Sequence, residues 1–340
     1  MRTLFSTLFY LFSLLTLSAQ NYYLPKTAVR VHLLIEKQTY QPGDFAPYAQ
    51  RYLHLSNIQQ EERVSHRVID IQLSTLGVRD TSKCYTLQLK TKTAPDIRLS
   101  DDGILLAINA EPLPSPTHST HNTHSTHNTH STRNTSTHTI LSAEALAAGS
   151  KAKMAELTAQ QITELRERRQ QLITGEADDM PQDEQQLQRM LNEIDRQCDM
   201  LTALFTGTTR RDTTQHTLTL CPGKETEREV VFRLSRTLGL VDKDDLAGVP
   251  YYITIKNLHP TDVALPENKK GDGIYANVPA TVQLTFQQED LPLATFDVPM
   301  AQFGYVELRD GSVFHKSKTP THLQLHPATG AVVRMYTDAE

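Results

Sequence analysis

Five histidines, His118, His121, His124, His127 and His130, recur at every third position within a Thr-His-Ser-Thr-His-Asn repeat, and His138 follows after a degenerate turn of it. Imidazole at this density is ligand chemistry for Zn, Cu or Ni. The spacing works against a closed site. In an extended chain with three residues per turn, the rings share one side but stand roughly 9 Å apart. A tetrahedral centre instead gathers four ligand atoms, each about 2 Å from the metal. Closing one requires the chain to fold back, at about 1–2 kcal/mol for each residue ordered. Weak metal binding is the leading expectation for this tract, with no role, or a true metal or pH function, as the alternatives; it gains positive charge below about pH 6. Having no apolar residues, it is expected to be disordered.

Other candidate groups are weaker. Asp242, Asp244 and Asp245 resemble the start of a calcium loop, but no Gly or bidentate Glu follows at the required offsets, so a solvated turn is expected. Asp101/Asp102 and Asp178/Asp179 are adjacent carboxylates in turn sequences, where capping is the default role. Asn134-Thr135-Ser136 matches a glycosylation acceptor, and Leu24-Pro25-Lys26-Thr27-Ala28 has the form of a sorting signal but sits at the wrong end of the chain. There is no G-x-S-x-G elbow, H-E-x-x-H, phosphate-binding glycine loop or C-x-x-C. No catalytic set and no cofactor site is therefore read from the sequence, which leans against an enzyme. Cys84, Cys198 and Cys221 are an odd number, expected as small buried apolar residues, with a single bridge as the alternative.

Around these groups the apolar pattern alternates between strand and helix. Strands are expected over residues 28–37, 63–75, 84–91 and 104–109, with a change of apolar phase at Val68/Ile69 that suggests a bulge. A short helix capped by Asp44 is expected over 45–53. Met154, Leu157, Ile162, Leu165 and Leu172 stripe one later helix. Leu187, Leu191, Ile194, Cys198, Leu201 and Phe205 form a heptad-like seam on the next, with Asp183 as its cap and Gly207 as its stop. Helices joined by a short loop pack antiparallel. From Thr213 onward, short β segments separated by turns at Lys270–Gly273, Arg309–Gly311 and Ala328–Gly330 suggest a sandwich or partly open barrel.

Residues 1–19 have the pattern of a cleavable export signal: Arg2, an apolar run from Leu4 to Leu17, then Ser18-Ala19. That run is too short to span a bilayer, for which about 20 apolar residues are needed. No Cys follows it, which argues against lipidation, and no later stretch is apolar enough to cross a membrane. A net charge of −5 with mixed signs gives no footprint for nucleic acid. The fold class expected is α+β: two β-rich units joined by an antiparallel helical hairpin. The divisions are signal 1–19, an α+β unit 20–111, a His/Thr-rich insertion and linker 112–149, the hairpin 150–207 and a β-rich domain 208–340.

Six segments, in order along the chain, carry a resemblance to a known family: Tyr23–Leu53, Asp101–Glu111, Leu172–Pro181, Leu204–Thr209, Asp244–Ile255 and Pro299–Gly311. Together the chain resembles the exported Bacteroidota family catalogued as domain of unknown function 4831. The resemblance implies an exported protein with no assigned activity, cofactor or catalytic residue. It also brings Thr213, within Asp212-Thr213-Thr214, into view as a candidate O-glycosylation site of the kind such organisms use. The function expected is a periplasmic or surface-associated binding or scaffolding module, non-lipidated, with an envelope protein or a glycan as partner. A hydrolase of envelope glycans or peptides with dispersed residues, and weak metal binding by the histidine tract, are the alternatives.

Overall fold

A computed structural model describes residues 20–87, 95–114, 141–178, 180, 183–260, 273–311, 314 and 320–337. The expected export signal and the histidine tract lie outside these residues. The fold is α+β, and the described residues form three antiparallel sheets and no closed barrel.

Two long hairpins organise it. The first pairs β1 (Gln20–Gln41) with β2 (Arg63–Leu87). Ile69 is the extra residue of a bulge between the Leu34↔Asp70 and Ile35↔Val68 pairs, where the apolar pattern changes phase. Strand β2 runs on where the sequence suggested a break after Thr75. Gly77 is there for a close approach and not for a turn, since a Cβ on it would lie 2.2 Å from the Pro327 carbonyl oxygen. The helix expected after Asp44 is a 3-10 turn (Ala46–Tyr48) followed by α1 (Ala49–Leu53), and Asp44 does not cap it.

The chain continues through β3 (Ile97–Leu99), β4 (Leu105–Ile108), α2 (Ala143–Leu146), α3 (Lys151–Thr174) and α4 (Glu184–Thr206). Asp183 caps α4, its carboxylate accepting from the Gln186 N–H at 2.6 Å, and Gly207 ends it with φ +77°. After β5 (Thr208–Leu220), β6 (Thr226–Ser235), β7 (Gly239–Val241) and β8 (Val249–Asn257) comes the second long hairpin. It pairs β9 (Gly273–Gln288) with β10 (Leu291–Asp310), and β11 (Thr321–Leu325) and β12 (Val332–Thr337) follow. Where short β segments were expected, residues 291–310 form one long strand, β10, interrupted by a bulge at 301–304 opposite Pro279.

The sheets have the orders β2-β1-β5, β10-β9-β8-β6-β7 and β12-β11-β4-β3. The first and third therefore mix strands from residues 20–111 with strands from residues 208–337. An isolated hairpin is marginal in water, and each of these finds its missing neighbours in the other stretch.

Two apolar cores result. The first lies between the three- and five-stranded sheets and contains Val29, Val31, Leu33 and Ile35 of β1 with Phe232, Tyr251, Val282, Leu284 and Phe286. The second packs the other ends of both long hairpins on the four-stranded sheet, with Tyr22, Leu24, Tyr85, Tyr275, Ile108 and Leu323. Along β1 the buried set passes from even residues at Tyr22 and Leu24 to odd ones from Val29 onward. Because strand side chains alternate between faces, the two cores take opposite faces of the same strand. A third cluster is helical, joining Phe45 and Ala49 to Ala155, Ala159, Ile162, Leu201 and Phe205.

Candidate functional site

Where the two β cores meet, both long hairpins bulge, and the buried polar residues Thr27, Asp80, Lys83, Asn277 and Thr329 gather at this waist. On the first hairpin, residues 80–83 (Asp-Thr-Ser-Lys) all stand opposite Leu24. Asp80 shapes that bulge: its Oδ1 accepts from the Ser82 N–H at 3.0 Å and from Ser82 Oγ at 2.6 Å. The turn carries the Lys83 side chain inward, where Nζ donates to Asn277 Oδ1 of β9 at 3.2 Å. Lys83 and Asp80 are both buried, and Lys26 Nζ approaches Asp80 Oδ1 to 3.7 Å from the more exposed side. Burial lowers the Lys83 pKa below that of an ordinary lysine, Asp80 opposes this, and Lys26 reinforces it.

Asn277 is 1 % exposed and spends every side-chain hydrogen. Its Nδ2 donates to the carbonyls of Pro25 (3.0 Å) and Thr329 (2.7 Å), while its Oδ1 accepts from Lys83. One carboxamide thus joins β1, β2, β9 and the turn at 326–330. That turn is folded by its own bonds, with the Gly330 N–H donating to the His326 carbonyl at 2.7 Å. Burial holds the His326 imidazole below its usual pKa, and its Nδ1 accepts from the Ala328 N–H. Gly330 has φ +70°, and a Cβ there would meet Pro25 Cδ at 2.6 Å, so no larger residue fits against β1.

Thr27 and Gln302 complete the waist. Thr27 Oγ1 donates to the Ala328 carbonyl and accepts from the Ala301 N–H, both at 3.1 Å. Gln302, from the β10 bulge, accepts from the Thr27 N–H and donates to the Thr27 carbonyl, both at 2.9 Å, and also donates to the Pro222 carbonyl at 2.8 Å. Its amide therefore serves Thr27 as a short piece of neighbouring strand would. The arrangement is a primary amine, a carboxamide and a carboxylate, all buried, at a junction between sheets.

Of the groups named in the sequence, the Leu24–Ala28 segment lies at the waist, through Pro25, Lys26 and Thr27. His118, His121, His124, His127 and His130 are outside the described residues, as is His138. Thr213 is exposed on β5, in register with Glu36, and its neighbour Asp212 pairs with Arg210 at 2.9 Å. Asp242 and Asp245 make local turns with the N–H groups of Asp244 and Ala247. The three cysteines are free. Cys84 and Cys198 are half-buried and Cys221 is exposed just beyond β5, so the expectation of three buried residues is corrected. Among the described residues, no three His, Cys, Asp or Glu side chains converge as a metal set. The waist residues Asp80, Lys83 and Asn277 were missed by sequence reasoning. A polar residue inside the apolar run Ile274-Tyr275-Ala276-Asn277-Val278 was the available signal.

A second feature is a surface. The first half of α3 and the last turns of α4 are held by the helical cluster, whereas further out the seam residues Leu187, Leu191, Ile194 and Cys198 are only half-buried. Near the tip, Ile173, Met180 and Met190 are exposed at 51 %, 42 % and 38 %, too much for side chains facing an interior. Arg169 of α3 pairs with Asp195 of α4 at 2.6 Å across the hairpin.

A two-core antiparallel scaffold carrying a helical hairpin defines the architectural class. Residues 19–333 match the model of a family described as Domain of unknown function (DUF4831), and the chain belongs to that family. No curated protein and no solved structure matches the chain.

Proposed function

We propose that the chain is an exported binding or scaffolding module whose working surface is the α3–α4 hairpin, and that the hairpin of a second copy occupies it. The observation that carries this reading is the apolar seam left half-covered on α4, continued by the exposed Ile173, Met180 and Met190. A two-helix hairpin covers such a seam from one side only, and two hairpins together cover it as a four-helix bundle. Charge supports a self-complementary partner. The outer half of α3 carries Arg166, Arg168 and Arg169 with Glu164 and Glu167, and the facing stretch of α4 carries Glu193, Asp195 and Asp199 with Arg189 and Arg196. Arg169 and Asp195 already pair within one chain, which leaves Arg166 and Arg168 of one copy to meet Asp199 of the other in an arrangement that closes with twofold symmetry. The signal-like residues 1–19 support export.

Sedimentation velocity across a concentration series tests the proposal. The wild type is expected to move from monomer to dimer, whereas Ile173→Glu combined with Met190→Glu stays monomeric with an unchanged Tm. Ile194→Asp lowers both Tm and association, because Ile194 is already half-buried within one chain. A wild type that is monomeric throughout overturns the second-copy reading. An Ile194→Asp chain with unchanged Tm and oligomeric state overturns the seam itself.

A further inference from the structure

We propose that Lys83 and Asn277 form an intramolecular isopeptide bond, a covalent tie between the two long hairpins at the waist. Nζ of Lys83 lies 3.2 Å from Oδ1 of Asn277, at the edge of the carboxamide it would attack. The carboxamide cannot turn away, because both Nδ2 hydrogens are held by the carbonyls of Pro25 and Thr329. Fixing two reacting groups at contact distance turns a slow amide exchange into an effectively unimolecular step.

Burial supplies the rest of the chemistry. Lysine is a nucleophile only as the neutral amine, and withdrawing it from water favours that form. The charged groups acting on Lys83 are Asp80, which favours the ammonium, and Lys26, which disfavours it. Asp80 is 4 % exposed and sits three residues away in the same bulge.

In the reaction, the Lys83 Nζ lone pair attacks Cγ of Asn277 and a C–N bond forms. The proton released by Nζ moves to Nδ2, and the Asp80 carboxylate, acting on Lys83 through space, steadies the positive charge that Nζ carries during attack. The Cγ–Nδ2 bond then breaks and ammonia leaves. One amide is exchanged for another, so neither an oxidant nor a cofactor is needed. The product joins residues 194 apart in sequence, β2 to β9, where the two cores meet. Closing so long a loop removes conformational freedom from the unfolded chain. The tie does not depend on the hairpin reading, and its test is independent of association.

Intact-mass measurement and a peptide map of the purified full chain decide it. The expected map contains a branched peptide joining the Lys83 segment to the Asn277 segment, lighter than the two separate peptides by one ammonia, about 17 Da. Lys83→Met and Asn277→Ala each abolish the branched peptide and the mass deficit, whether or not those variants fold. Asp80→Asn, folded by circular dichroism, is expected to lose the deficit as well, and a linked Asp80→Asn chain overturns the role given to Asp80. Separate, unmodified Lys83 and Asn277 peptides from the folded wild type overturn the bond.

Discussion

Replacing Asn277 with leucine is expected to lower unfolding free energy by about 4 kcal/mol or more, beyond what most single substitutions do. The volumes are similar, so little of the loss comes from packing. It comes from partners left behind. The Pro25 and Thr329 carbonyls and the Lys83 amine all lose their bond to this side chain, in a place water does not reach. A buried polar group without a partner costs about 1–3 kcal/mol, and three are created together. If the covalent tie has formed in the wild type, its loss adds to the same sign. Urea unfolding followed by tyrosine fluorescence reads the change, and a loss below about 1 kcal/mol would show that these bonds do not hold the waist.

Phe205→Ala is expected to cost about 3–5 kcal/mol, the usual loss for a fully buried aromatic, and to release the helices before the sheets. Phe205 is 0 % exposed and packs on Phe45, ring centroids 5.4 Å apart. Close by, the hairpin is moored to the end of β1. The Phe45 N–H donates to the Leu204 carbonyl at 2.7 Å, and the Tyr40 hydroxyl donates to the Thr206 carbonyl at 2.9 Å. The variant leaves a cavity in the helical cluster and leaves both β cores intact. A thermal melt read at a helical and a β wavelength should separate into two transitions, the helical one first. A single transition at the wild-type temperature would mean that the helices are not held through Phe205.

Local rules in the sequence were enough for α3 and α4, for Asp183 and Gly207 at the ends of α4, and for the Ile69 bulge. Each depends on residues a few positions apart. The length of β2 and β10 was not legible, because Gly77 and the 301–304 bulge read as breaks when only neighbours along the chain are considered. Their meaning depends on Pro327 and Pro279, which come close only after folding. The waist was hidden for the same reason. Lys83 and Asn277 are ordinary residues in their own strands and become a pair only across 194 positions. The histidine repeat, for all its regularity, lies outside the described residues.

Hydrogen exchange of the wild type at low and high protein concentration tests the central claim most directly, that a fixed two-core scaffold presents the hairpin for pairing. Amides of β1, β2, β9 and β10 on both sides of the waist should exchange at one slow, common rate at either concentration. Amides in the outer halves of α3 and α4 should exchange quickly when dilute and gain protection as concentration rises. Outer-hairpin exchange that does not depend on concentration, or two cores that open separately, would contradict the account.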